Sequence, residues 1–139
     1  MTKGFRIPGS AEAHDIAEKR LCAEISKRFK GRCFLLHQYV GMFSQRNGKK
    51  VYIGVKGIPD VGGWLDGIAF QIELKTGSAT RTPEQIAFAD MVASTGAVYI
   101  QARFSGKWCE SDDIELDRVC FVLEQDSAAR LHHVAYKHL

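Results

Sequence analysis

From Ser10 to about Lys30 the chain is rich in Ala, Glu and Lys, and the apolar positions Leu21, Cys22, Ile25 and Phe29 recur at three- and four-residue intervals. At about 100° per residue they form one stripe, which predicts a helix of about five turns with Ser10 as its N-cap and Gly31 as its stop. Glu18 and His14 fall on this stripe, whereas Glu12 and Glu24 fall on other faces. From Cys33 to Val40 the composition changes to the apolar and aromatic residues of a strand, and from Gly41 to Lys50 to a basic loop containing Asn47-Gly48-Lys49-Lys50.

Leu65-Asp66-Gly67-Ile68 places an Asp-Gly pair between two strand-like runs, the signal of a two-residue type I′ hairpin. That turn sets the register: Leu65 faces Ile68, Trp64 faces Ala69, and Asp60 faces Glu73. Along the second strand Ile68, Phe70, Ile72 and Leu74 share one face, and Gln71, Glu73 and Lys75 share the other. Asp60, Glu73 and Lys75 are therefore expected on one side of a sheet.

Thr82-Pro83-Glu84-Gln85 opens a second helix, with Thr82 as N-cap, Pro83 at the first helical position and Gln85 reaching back in a capping box. Gly96 ends it, and Ala97 to Phe104 returns as a strand with Val98, Ile100 and Ala102 on one face. Strand, helix, strand favours a crossover into a mixed sheet. The expectation is one α/β domain over residues 1–139, with a mixed central β-sheet flanked by helices. Its core covers about 11–103, and a peripheral C-terminal segment, 104–139, carries a helix and a tail with His132, His133 and His138.

Composition changes this picture little. A chain of 139 residues, 45% hydrophobic and 25% charged, suits one compact core. A net charge of +3 permits a nucleic-acid partner but is well short of a protein that coats nucleic acid by charge alone. Cys22, Cys33, Cys109 and Cys120 lack the paired spacing of a zinc site and are expected as reduced thiols. No apolar h-region follows the N-terminus and no stretch approaches a membrane span, so the expected location is cytoplasmic.

The candidate chemistry lies in the hairpin. Two carboxylates about 5 Å apart repel, so a protein that keeps Asp60 beside Glu73 needs a bound cation or one neutral acid. Magnesium fits, since it takes carboxylate oxygens together with water and a substrate phosphate. Lys75, roughly 7 Å further along the strand, is placed to orient water or offset charge on a pentavalent phosphorus centre. Glu18 is costly to bury on an apolar stripe unless it is paired or near a metal, which assigns it to the rim of the site.

Gly57-Ile58-Pro59-Asp60, then Ile72-Glu73-Leu74-Lys75, then Thr82 to Gln85 opening a helix, resemble the VRR-NUC branch of the PD-(D/E)XK nuclease superfamily over about Ala11 to Arg103. The resemblance implies a restriction-endonuclease-like core and a Mg2+- or Mn2+-dependent DNA endonuclease without an organic cofactor. It implies Asp60, Glu73, Lys75 and Gln85 as catalytic residues, and Asp60, Glu73, the Leu74 carbonyl and Glu18 around the metal. Glu12 is the alternative helix acid, and the helix face favours Glu18. Stand-alone phage and bacterial members of this type imply a homodimer acting on branched or four-way-junction DNA.

Arg46, Lys49, Lys50, Lys56 and Arg81 are the candidate phosphate contacts, each also at home as a solvated surface charge. Trp64 suits base stacking, a dimer contact or core packing, and His14 suits packing or a hydrogen bond better than ligation. The competing functions are a catalytically silent nucleic-acid-binding module and a sequence-specific restriction-like nuclease, the latter requiring base-reading elements that 139 residues do not clearly supply.

Overall fold

A computed structural model of the chain describes residues 10–38, 41–53 and 55–137, with the side chains of 10, 41–44, 51–53 and 133–137 outside the description. Its elements are α1 (Ser10–Arg28), β1 (Cys33–His37), β2 (Gly41–Ser44), β3 (Lys50–Ile53), β4 (Val61–Leu65), β5 (Ile68–Thr76), α2 (Pro83–Thr95), β6 (Val98–Phe104) and α3 (Glu110–Lys137). Four strands form one mixed sheet in the order β1-β4-β5-β6, antiparallel except for the parallel β5–β6 pair. The fold is α/β, with helices on both faces of this sheet.

The Asp-Gly turn sets the β4–β5 register as expected, pairing Leu65 with Ile68 and Trp64 with Ala69 and continuing to Val61 with Ile72. Asp66 at φ 52° and Gly67 at φ 81° supply the two left-handed residues that a type I′ turn requires. One face of the sheet carries Val61, Leu65, Phe70, Ile72, Leu74, Val98, Ile100, Ala102 and Phe104, all buried. Against it lies the expected stripe of α1, with Leu21, Cys22, Ile25 and Phe29 buried. α2 covers the β6 side of the opposite face, begins at the Thr82/Gln85 capping box and ends at Gly96.

Three segments differ from the sequence expectation. The run from Gly41 to Lys50 is not a single loop: β2 and β3 pair as a separate two-stranded hairpin around a short turn. In that turn Gln45 N–H donates to Lys49 O, Gly48 N–H donates to Gln45 O, and the Asn47 side chain accepts from Lys49 N–H. Asn47-Gly48 between apolar runs was the available signal. The strand expected to reach Val40 ends at His37, and residues 39 and 40 lie outside the described residues.

The C-terminal helix is also not peripheral. Val119, Cys120 and Leu123 are fully buried in the same core, with Leu116 packed against it. The 116, 119, 120, 123 spacing is that of an amphipathic helix facing a sheet. His132 lies on α3, the His133 side chain is outside the description, and His138 lies outside the described residues.

Asp112 fastens α3 to the end of β6. It is 2% exposed, and its carboxylate accepts from Ser105 N–H, the Ser105 hydroxyl and Cys109 N–H. Burial pushes its pKa up, but these donors outweigh burial and hold it below the ordinary 3.8. The stabilisation is therefore complete above pH 3.8 and is lost as pH falls through the lower folded-state value. Asp112→Ala should cost about 2–3 kcal/mol in urea unfolding at pH 7, with the gap to wild type closing in acid; a gap independent of pH would show that the charge is not what matters.

Candidate metal and phosphodiester site

β4 leaves the ladder at Val61, but β5 continues to Thr76. The main-chain N–H of Leu74 is thereby left without a β4 partner, and the Asp60 side chain supplies one, Oδ2 accepting from Leu74 N–H at 3.0 Å. The expected face-to-face Asp60–Glu73 strand pair is thus replaced by a side-chain contact one step beyond the ladder. Asp60 O in turn accepts from Gln38 N–H at 2.9 Å, holding the loop against β1. The same loop passes against the first turn of α2 at Gly57, where φ is 83° and a Cβ would stand 2.2 Å from Glu84 O. Only glycine fits there.

Glu73 points to the α2 face and is 2% exposed. Gln85 Nε2 donates to its Oε1 at 2.7 Å, and Lys75 Nζ lies 3.5 Å from the same oxygen. Gln85 Oε1 accepts from both Lys75 Nζ and Thr82 N–H, each at 2.8 Å. One glutamine therefore caps α2 and ties together the acid and the lysine. Glu73 Oε2 is buried and has no hydrogen-bond partner among the described residues. Burial and the nearby Asp60 carboxylate push the Glu73 pKa up to about 7, against the opposing pull of Lys75.

These groups line a cavity of about 310 Å³ together with Ala11, His14, Leu74, Thr76 and Ala79. Asp60, Glu73, Leu74, Lys75 and Gln85 thus meet in one place. Glu18 is not on the cavity wall: its Oε1 lies 3.0 Å from His37 Nδ1 at the end of β1. One helical turn earlier, His14 Nε2 lies 3.3 Å from Asp60 Oδ1. Glu12, the alternative helix acid, is exposed and also lines no part of this cavity. The periodicity put His14 and Glu18 on one stripe correctly; how far along the helix the loop of Asp60 crosses depends on tertiary packing.

Arg46 and Lys49 sit exposed in the β2–β3 turn, Lys50 opens β3, and Lys56 is exposed in the following loop. Arg81 precedes the α2 cap; burial pushes the Tyr99 phenol up, and the Arg81 guanidinium beside it works in the opposite direction. Trp64 is not core: it is 45% exposed and packs on Phe34 with ring centroids 6.0 Å apart. Sequence reading missed Tyr99 and the Gln38–Gln71 hydrogen bond beside the Asp60 loop, which no local motif marks.

A divalent cation fits this donor set. Glu73 Oε2 is buried and, among the described residues, has no partner, and the Asp60 carboxylate lies nearby and raises the Glu73 pKa, so an added positive charge would offset both acids. Among the described residues no group of three or more His, Cys, Asp and Glu side chains is placed to hold a metal ion, so an ion here would rest on the two carboxylates with a main-chain carbonyl, water and phosphate.

The chain is similar to a VRR_NUC domain. That solved structure shares 18% identity with a TM-score of 0.42, over 73% of this chain and 95% of the other. A crystal structure of a protein from Vibrio cholerae is similar at 11% identity and a TM-score of 0.36 over 91% of this chain, which spans 32% of that protein. No protein-family model and no curated protein matches the chain.

Glu73 gives a stability test in EDTA. Between pH 4.5 and about 7 the folded protein holds a proton that the unfolded chain has released, so stability falls as pH rises through that window. Glu73→Gln removes the penalty and should be more stable than wild type by roughly 1–3 kcal/mol at pH 8, with the two converging in acid. Equal stability at pH 8 would mean that Glu73 is not strained there.

Proposed function

We propose that this protein is a divalent-metal-dependent DNA endonuclease. The observation that carries the reading is the convergence of Asp60, Glu73, Lys75 and Gln85 on one cavity, with a buried Glu73 oxygen that has no partner among the described residues. Asp60 Oδ1, Glu73 Oε2 and the Leu74 carbonyl are the groups assigned to the ion. When bound, Mg2+ or Mn2+ supplies Lewis acidity toward the scissile phosphate and lowers the pKa of a water molecule. Lys75 Nζ, held by Gln85 Oε1, would orient an attacking water and offset the negative charge that builds on the phosphate. Arg46, Lys49, Lys50, Lys56 and Arg81 contact phosphates along the DNA.

Branched DNA as substrate follows from the sequence resemblance. Among the described residues no helix is long and apolar enough to cross a membrane, and the four free thiols suit the reducing cytoplasm of a bacterial or phage-infected cell.

Labelled four-way junction, flap, duplex and single-stranded DNA, incubated with Mg2+, Mn2+ or EDTA, test the reading. Metal-dependent products are expected, best on the junction, falling about 100-fold or more in Asp60→Ala and Lys75→Ala while DNA binding persists. Tight binding without products under either ion would instead establish the silent binding module.

A homodimer is part of the same proposal. β1 is an edge strand, and on the half of the sheet face that α2 does not cover it exposes Phe34 at 59% and Leu36 at 41% beside Trp64. A second copy laid on this patch buries all three. Light scattering should give twice the 15.5 kDa chain mass, dropping to one chain in Trp64→Lys. A wild-type mass of one chain rules the dimer out.

A further inference from the structure

We propose that Gln38, bridged to Gln71 across Gly62, is the positioning residue that aims the Asp60 carboxylate into the candidate site. The inference rests on the nuclease reading above and says what holds the acid that the reading takes from a loop.

The peptide planes on either side of Asp60 are both anchored on Gln38. Asp60 O accepts from the Gln38 main-chain N–H at 2.9 Å, and Pro59 O, one peptide earlier, accepts from Gln38 Nε2 at 3.0 Å. A peptide unit is planar, so fixing the planes before and after one Cα leaves its φ and ψ little freedom. The Cα–Cβ direction of Asp60 is set as a result. From there Oδ2 accepts from Leu74 N–H, and Oδ1 pairs with His14 Nε2.

The other end of the clasp is on β5. Gln38 Nε2 also donates to Gln71 Oε1 at 2.7 Å. A main-chain carbonyl can only accept, so the Gln38 atom facing Pro59 O is the nitrogen, and Gln71 presents its oxygen to that same group. Gln71 stands two residues before Glu73 on the same face of β5. One amide therefore ties the loop of Asp60 to the strand that carries Glu73 and Lys75.

Gly62 lets the two amides meet over β4. It pairs with Leu36 on one side and Gln71 on the other. A Cβ there would stand 2.9 Å from Gln38 Nε2, Gln38 Oε1 and Gln71 Nε2. Its φ is not among the positive ones, so the main chain accepts alanine and only the clasp resists it.

Charge gives the clasp its purpose. Asp60 opposes ionisation of Glu73, so the two carboxylates repel, and a loop left free would carry Asp60 away from the site.

The test uses the full chain and the variants Gln38→Ala, Gln38→Met and Gly62→Ala, all of which keep Asp60, Glu73, Lys75 and Gln85. In EDTA, hydrogen exchange of the Leu74 amide should speed up about tenfold in each variant, while amides inside the β4–β5 ladder stay as protected as in wild type. With Mn2+ and labelled four-way junction, flap, duplex and single-stranded DNA, kcat should fall about 10- to 100-fold with KM unchanged. Gly62→Ala should add little to Gln38→Ala, because its methyl group then has no Gln38 amide to displace.

If wild type cuts DNA while Leu74 exchange and kcat are unchanged in the Gln38 variants, the inference fails and the nuclease reading stands. Exchange that speeds up equally throughout the ladder shows that Gln38 only supports the fold, and also overturns the inference. A wild type that cuts none of these DNAs sinks the nuclease reading and the positioning role with it. If a Gln38 variant does not fold, Gly62→Ala, which removes no hydrogen-bonding group, decides the point.

Discussion

The candidate site depends on a mismatch in strand length. β4 stops pairing at Val61 while β5 runs on to Thr76, so the ladder leaves an open main-chain N–H at Leu74. Sheet edges normally fill such gaps with water or another strand. Here the Asp60 carboxylate fills it. One hydrogen bond thereby converts a strand end into a place where a side-chain oxygen is held beside Glu73, with its second oxygen turned toward α1.

The groups around this point place charge where Glu73 is buried while Asp60 and His14 stay partly exposed. Glu73 is buried, and its neighbours answer it only in part: Gln85 and Lys75 serve Oε1, and Oε2 has no partner among the described residues. Gln85 also caps α2, so the start of that helix and the orientation of Lys75 are set by one side chain. Stability and chemistry are coupled there because the groups are the same. Asp112, by contrast, is a buried acid whose donors are all supplied by its own neighbourhood. The two acids show the difference between a carboxylate satisfied by the fold and one that is not.

Local signals in the sequence determined a good deal. Asp66-Gly67 dictates a two-residue turn because few other residues accept two positive φ values in succession, and with the turn came the register and the shared side of Glu73 and Lys75. Thr82-Pro83 with Gln85 dictates the start of α2 because capping is a contact within four residues. The α1 stripe of Leu21, Cys22, Ile25 and Phe29 was legible because burial of one helical face leaves a period near 3.6.

What only the tertiary structure decided are contacts between elements far apart in the chain. Periodicity places His14 and Glu18 on the same face of α1, but which of them meets Asp60 depends on where the 57–60 loop crosses the helix, about 45 residues later in the sequence. The separation of Asp60 from the β4 ladder, the burial of α3 through Val119 and Leu123, and the uncovered Phe34–Trp64 patch have the same origin. A sequence records the faces of its helices and strands through spacing; the offsets between packed elements are set by side-chain volumes and loop paths, and they leave no periodic trace.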